Sequence, residues 1–242
     1  MRSHVIQINV GDEPVAGTLA SPETTLPGVL FIHGWGGSQE QDMSCSKEIA
    51  ELGCMCLTFD LRGHAASKAK QRSVTRDDNF RDVLAAYDVL ADQPSVDKSA
   101  IAVVGSSYGG YMAALLTRER PIRWLAMRVP ALYRDEEWST AKASLERKDL
   151  MKYRNMALPP EDNRALSACA AFQGDALIVE SEQDDFVPHQ TITNYISAFR
   201  AANSVTYRVL KGADHGLSDP TCHRAYDKLL LKWITEMVHA AR

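Results

Sequence analysis

Gly105-Ser106-Ser107-Tyr108-Gly109 stands between two segments of opposite character. Before it runs Ala100-Ile-Ala-Val-Val104, a short apolar β-type stretch. After it runs Tyr111-Met-Ala-Ala-Leu-Leu116, a helix former. A serine in G-x-S-x-G spacing at such a junction sits on a sharp strand-to-helix turn that lifts its hydroxyl clear of the sheet. Gly105 and Gly109 flank Ser107 where the backbone must pass close to itself and a side chain would clash. The helix beneath offers its first N–H groups to a negative charge developing at the turn. Three fixed positions recur by accident in roughly one chain of this length in ten to twenty. The competing reading is a glycine-rich turn whose serine merely caps the helix, so the rest of the chain has to decide.

Outward from this turn, short apolar strands alternate with amphipathic helices. The strands read as Val29–His33, Cys54–Asp60, Ala100–Gly105, Ile122–Val129, Ala176–Ser181 and Val205–Leu210. The helices between them read as Gln39–Leu52, Arg76–Ala91, Tyr108–Arg118, His189–Ala202 and Pro220–Ala240. Leu52-Gly53 is a helix stop, and Asp219-Pro220 is an N-cap followed by a first-turn proline. Near-continuous apolar strands separated by helices predict an α/β fold with a mostly parallel sheet covered on both faces. Ahead of it, His4–Val10 and Val15–Ala20 flank a Gly11-Asp12 turn signal and predict an antiparallel hairpin. Residues 130–174 are too long for a bare connection. Charge and aromatics there (Tyr133-Arg-Asp-Glu-Glu-Trp138, Leu145 to Tyr153) predict two or three short helices forming a small cap; the alternative is surface padding. The expectation is one domain over 1–242 with the cap inserted in it.

The chain has 242 residues, a formal net charge of −4, 45% hydrophobic and 24% charged residues. No basic face suggests a nucleic-acid partner, and no apolar run is long enough to span a bilayer. The first eight residues alternate like a strand and lack the apolar stretch of a signal peptide. The expected location is cytoplasmic, with no stable membrane association. Five cysteines without a C-x-x-C pair indicate neither a disulfide framework nor a zinc cluster. Cys54 and Cys56 share one strand face and read as small hydrophobes. The stripe Tyr226, Leu229, Leu230, Trp233, Ile234 and Met237 on the last helix reads as a face packed on the sheet.

A serine hydroxyl needs a base, an acid to orient that base, and donors for the oxyanion. The base is read as His215, in Gly212-Ala-Asp-His-Gly216 directly after the last strand. Loops there lie at the carboxyl edge, where open α/β sheets build their sites. His4, His223 and His239 read as surface or packing residues. The acid lies in Glu180-Ser-Glu-Gln-Asp-Asp-Phe-Val-Pro-His189. Asp184 and Asp185 can each be argued; Asp184 is taken, which leaves its neighbour to cap the turn or the next helix.

Taken together these residues resemble the α/β-hydrolase superfamily, from His33 through the final helix. In that superfamily the acid commonly stands three residues before a Val-Pro pair, as Asp184 does, and the order Ser107, Asp184, His215 is the family's order. Phe31-Ile-His-Gly-Trp-Gly-Gly37 resembles the family's His-Gly oxyanion loop. The resemblance implies that the backbone N–H groups of Trp35 and Tyr108 hold the oxyanion, with His33 structural. Asp60-Leu-Arg-Gly-His-Ala-Ala-Ser67 resembles a scaffold loop of the family in which Ala65 replaces the usual glycine. Ser107-Tyr-Gly-Gly-Tyr-Met112 is similar to the elbow of the prolyl oligopeptidase family and of related bacterial esterases. The chain holds no preceding region long enough for a β-propeller, so a free-standing esterase-type domain is expected.

The implied activity is hydrolysis of a small or medium carboxylic ester through an acyl-enzyme, with no metal or organic cofactor. Thioesterase, amidase or short-peptide hydrolysis by the same triad is the alternative, and a non-catalytic binding protein on the same fold ranks below it. Trp35, Tyr108, Tyr133, Trp138 and Phe186 are candidate pocket aromatics, with core packing the equal alternative for each.

Overall fold

In the computed structural model, residues 2–10, 13–21 and 25–240 are described, and side chains from residue 25 to 240. The frame is a six-stranded parallel sheet of β3 (Leu26–Ile32), β4 (Met55–Thr58), β5 (Val96–Ser106), β6 (Trp124–Arg128), β7 (Asp175–Gln183) and β8 (Ser204–Asp214), in spatial order β4-β3-β5-β6-β7-β8. The order reverses at β3, so the carboxyl ends of β3 and β5 open a crevice between them. β1 (Arg2–Val10) and β2 (Glu13–Ser21) pair antiparallel as a separate two-stranded sheet. The Gly11-Asp12 turn lies outside the described residues.

Alternation along each strand divides the core in two. Leu30, Ile32, Ile101, Val103, Leu125, Met127 and Ile178 point to one face, and Val29, Phe31, Ala102, Val104, Ala126, Leu177 and Val179 to the other. The first face is covered by α2 (Arg76–Ala91), α3 (Tyr108–Glu119), α5 (Arg164–Ala171) and α6 (His189–Ala198). The second is covered by α1 (Met43–Glu51) and α7 (Pro220–Ala240). The stripe on α7 therefore packs on the sheet as expected, with Tyr226, Leu230, Trp233, Ile234 and Val238 buried. Cys54, Cys45 and partly buried Cys56 sit in the same apolar layer.

Helix ends follow the local chemistry. Thr75 and Asp78 form a reciprocal capping box at the start of α2. Gly53 closes α1 with φ +86. Asp219 Oδ1 accepts the Thr221 N–H at 2.7 Å and caps α7. Residues 130–174 hold α4 (Arg147–Arg154), α5 and two single 3-10 turns at Lys142–Ser144 and Pro160–Asp162. No helix among the described residues is long and apolar enough to cross a membrane.

Candidate active site

β5 ends at Ser106 and α3 begins at Tyr108, which leaves Ser107 alone on the turn. Its backbone is at φ +53, ψ −109, a region that L-residues enter only under constraint. The constraint is visible. Ser107 N–H donates to the Arg128 carbonyl at 2.8 Å, and the Ser107 carbonyl accepts from Ala131 at 2.9 Å and Tyr111 at 3.1 Å. A Cβ on Gly105 would lie 2.4 Å from the Gly109 carbonyl oxygen, and one on Gly109 would lie 1.9 Å from that of Ile32. The glycines thus let three backbone segments close on the serine. The Ser107 side chain makes no helix-cap hydrogen bond, so the capping alternative is not the one adopted.

His215 follows β8 directly, and Asp184 follows β7. The two meet: Nδ1 of His215 lies 2.7 Å from Oδ2 of Asp184. A carboxylate only accepts, so the proton sits on Nδ1 and Nε2 is left as the free acceptor. The Asp184 side chain is 2% exposed and that of His215 is 23% exposed. The other Asp184 oxygen accepts the N–H groups of Phe186 and Val187, each at 2.8 Å. Asp185 is exposed. The backbone around His215 takes positive φ at Gly212 (φ +70) and Leu217 (φ +53). Arg128 holds this loop by donating from Nη1 to the His215 carbonyl at 2.8 Å.

On the opposite side of Ser107 runs the loop after β3. A Cβ on Gly34 would touch Ser107 Cβ at 3.5 Å, so the loop packs directly on the turn. Tyr108 opens α3, where first-turn N–H groups have no intrahelical partner. Neither its N–H nor that of Trp35 is spent on a hydrogen bond among the described residues. His33 is structural in the expected sense. It is buried, its Nδ1–H donates to the Gly34 carbonyl at 2.8 Å, and Nε2 accepts the Leu61 N–H at 3.0 Å. Burial lowers its pKa and keeps it neutral. The loop from Asp60 to Ser67 is scaffold. Asp60 accepts from Gln39 N and Nε2, both at 2.9 Å, and Arg62 pairs with Asp78 and Asp82. Ala65 in this loop sits at φ +44.

Ser107 and His215 line one cavity of about 250 Å³, together with Trp35, Asp42, Arg128 and Asp227. Of the five candidate aromatics only Trp35 lines it. Tyr108 and Tyr133 are core residues, Trp138 packs on Phe80 away from it, and Phe186 is exposed against the His215 ring. His223, read from sequence as a surface or packing residue, lines the cavity 3.7 Å from Asp227. From the segment 130–174, Lys142 sits 4.5 Å from the Trp35 ring centre and Arg147 4.6 Å from that of Phe186. Among the described residues no group of three or more His, Cys, Asp and Glu is placed to hold a metal ion.

Sequence reasoning missed Arg128, Asp42, Asp227 and Arg76. Arg128 carries a signal, as a charged residue ending the apolar strand Trp124-Leu-Ala-Met-Arg128. Arg76 is fully buried among Tyr111, Tyr133 and Trp138, and donates to the Arg134 carbonyl at 2.7 Å. At a helix start it reads as solvent-exposed, and nothing local announces that aromatic cage.

Solved structures share this fold. A metagenome-derived lipolytic enzyme superposes with TM-score 0.68 at 19% identity, over 88% of this chain and 95% of its own. A dienelactone hydrolase from Anabaena variabilis gives 0.62 at 18%, over 97% of each chain. An acylaminoacyl peptidase from Pyrococcus horikoshii gives 0.64 at 18%, over 98% of this chain and 42% of its own. The molecule has the α/β-hydrolase fold. Among curated proteins, a probable dipeptidyl-aminopeptidase B from Paracoccidioides lutzii is 25% identical over 227 residues, which is 86% of this chain but 24% of that protein. Protein phosphatase methylesterase 1 from Saccharomyces cerevisiae is 30% identical over 104 residues, covering 38% of this chain and 26% of that protein. The chain thus spans about a quarter of the length of these curated relatives. The model of the prolyl oligopeptidase family matches residues 43–241, and the chain belongs to that family.

Proposed function

We propose that the protein is a serine hydrolase that cleaves a small or medium carboxylic ester through Ser107, His215 and Asp184. The observation that carries this reading is the partly buried Asp184–His215 contact of 2.7 Å, beside a serine held at φ +53 in the same cavity as that histidine. His215 Nε2 takes the proton of Ser107 as Oγ attacks the ester carbonyl. The tetrahedral oxyanion is held by the N–H groups of Trp35 and Tyr108, one such donor being worth about 3 kcal/mol of barrier. Protonated His215 then gives its proton to the leaving alcohol, and Asp184 stabilises the imidazolium. Water, deprotonated by His215, attacks the acyl-enzyme and releases the acid and free Ser107.

Segment 130–174 acts in this reading as a small cap, supported by the contacts of Lys142 with Trp35 and Arg147 with Phe186. Buried thiols at Cys45 and Cys169 fit a reducing, cytoplasmic setting. A second reading, hydrolysis of a short peptide or amide by the same residues, is favoured by the family match and the dipeptidyl-aminopeptidase relatives.

The test is turnover of p-nitrophenyl esters from acetate to decanoate, beside aminoacyl p-nitroanilides, by wild type and Ser107→Ala. Ester turnover that vanishes in the variant supports the esterase reading. Anilide turnover well above ester turnover moves the assignment to a peptidase. Activity retained in Ser107→Ala sinks both.

A further inference from the structure

One charged side chain in the cavity beside Ser107 forms no ion pair among the described residues. Arg128 leaves the end of β6, is 8% exposed, and lines that cavity. A guanidinium carries five N–H donors. One reaches the His215 carbonyl, and the group lies 5.6 Å from the centre of the Tyr226 ring. Among the described residues Arg128 forms no ion pair and no second hydrogen bond. None of its nitrogens is sealed off without a partner, so the unused donors open on the cavity. A desolvated cation with unused, forked donors is the arrangement that takes a carboxylate in two parallel hydrogen bonds.

Among the described residues no other ionisable group forms an ion pair with it, although Asp184, Asp42 and Asp214 lie close enough to favour its charge. Asp42, just before α1, is raised by burial to about 7, and Asp227 on α7 is raised as well, with His223 facing it. Asp42 is thus partly protonated near pH 7, and the other acids close to Arg128 are engaged elsewhere: Asp184 holds His215 and two backbone N–H groups, and Asp214 accepts the Ser218 N–H. Leu217 and Leu230 add apolar wall to the same cavity. A short chain of methylenes that ends in an anion matches that mixed lining.

We propose that this cavity is a carboxylate subsite, in which Arg128 binds a free carboxylate carried on the acyl part of the substrate. The preferred substrates are then monoesters of short dicarboxylic acids. The proposal rests on the serine-hydrolase reading for its chemistry but not for its binding.

The test compares p-nitrophenyl hydrogen glutarate with p-nitrophenyl pentanoate in wild type and Arg128→Met. A hydrogen-bonded charge pair predicts a wild-type preference for the hemi-ester of about tenfold or more in kcat/KM. Arg128→Met is expected to erase that preference, whatever loss the freed His215 loop inflicts on both esters. Absence of a preference in wild type, or an equal loss on both esters with the preference intact, overturns the subsite. Binding is read separately by titrating monomethyl glutarate and its carboxylate-free counterpart methyl pentanoate into Ser107→Ala with and without Arg128→Met. Monomethyl glutarate binding that depends on Arg128 supports the subsite even if neither ester is cleaved, and that pattern would count against the hydrolase reading alone. Cleavage of pentanoate with no glutarate discrimination would count against the subsite alone. Should Arg128→Met fail to fold, Asp42→Asn replaces it. That variant is expected to keep the hemi-ester preference at pH 8, where wild type loses part of it to the ionised Asp42. An unchanged wild-type preference across pH 6 to 8, identical in Asp42→Asn, overturns the role given to the cavity's charges.

Discussion

Asp184 and His215, thirty-one residues apart in sequence, meet at 2.7 Å through Oδ2 and Nδ1, and the carboxylate's second oxygen is held by two backbone N–H groups. The aspartate is therefore fixed before it fixes the imidazole. In Asp184→Asn the amide oxygen can keep the two backbone donors, which turns the NH2 group onto the Nδ1–H of His215. The ring must then flip or change tautomer. Turnover is expected to fall by about 10³- to 10⁴-fold with the fold intact. Asp185→Asn, at an exposed neighbour, is expected to leave turnover within about twofold. Parallel ester kinetics on the two variants decide the matter, and the reverse ranking would move the acid to Asp185.

Ala65 occupies a left-handed backbone position, φ +44, on an exposed stretch of the scaffold loop. A Cβ there strains the backbone by about 1–2 kcal/mol, and glycine gives part of that back through its looser unfolded state. Ala65→Gly is expected to stabilise the protein by about 0.5–1 kcal/mol in urea unfolding, without changing activity. Destabilisation would mean that the loop depends on the alanine for something other than its backbone.

Gly109 and Gly36 offer opposite tests of the turn. A methyl group on Gly109 meets the backbone oxygens of Ile32 and His33 at 1.9 and 2.7 Å, whereas one on Gly36 meets nothing within 4 Å. Gly109→Ala is expected to cost about 3 kcal/mol or more and to yield little folded protein. Gly36→Ala, strained only by its φ of +84, is expected to cost about 1 kcal/mol. Thermal unfolding of both variants ranks them, and equal losses would contradict the packing described around Ser107.

Asp42 sets a slope of stability against pH. Folded, it holds its proton to about pH 7 because of burial; unfolded, a carboxyl releases it near pH 4. Between those values the folded state binds more protons than the unfolded one, so stability falls as pH rises through the window. Asp42→Asn removes this contribution. The variant's melting temperature is expected to exceed that of wild type by a margin that grows from pH 4 to pH 8. Parallel curves for the two proteins would show that Asp42 is not desolvated.

The elements that position the site are legible in sequence because local pattern and tertiary role coincide there. The span Arg76–Ala91 can be read to the residue, since a Thr-x-x-Asp box opens it. The turn at Ser107 is legible because glycines mark where backbone must approach backbone. The ends of other elements drift by a few residues. The helix expected over Gln39–Leu52 becomes a 3-10 turn followed by α1, broken at Asp42, whose carboxyl faces the cavity. Least legible is the cavity itself. Arg128, Asp42 and Asp227 come from β6, the start of α1 and α7, and no spacing rule joins positions so far apart. Tyr133 and Trp138 illustrate the converse. Their aromatic content suggests a pocket, yet they form a cage around the buried cation of Arg76.

Activation of Ser107 as a nucleophile by His215 can be tested by covalent labelling without knowledge of the substrate. Wild type, His215→Ala and Ser107→Ala are exposed to a fluorophosphonate and mapped by peptide mass spectrometry. A stoichiometric phosphonyl adduct on Ser107 is expected in wild type, labelling slowed by about 10³-fold or more in His215→Ala, and no adduct in Ser107→Ala. Folded wild type that takes no adduct, or takes it at another serine, would contradict that activation.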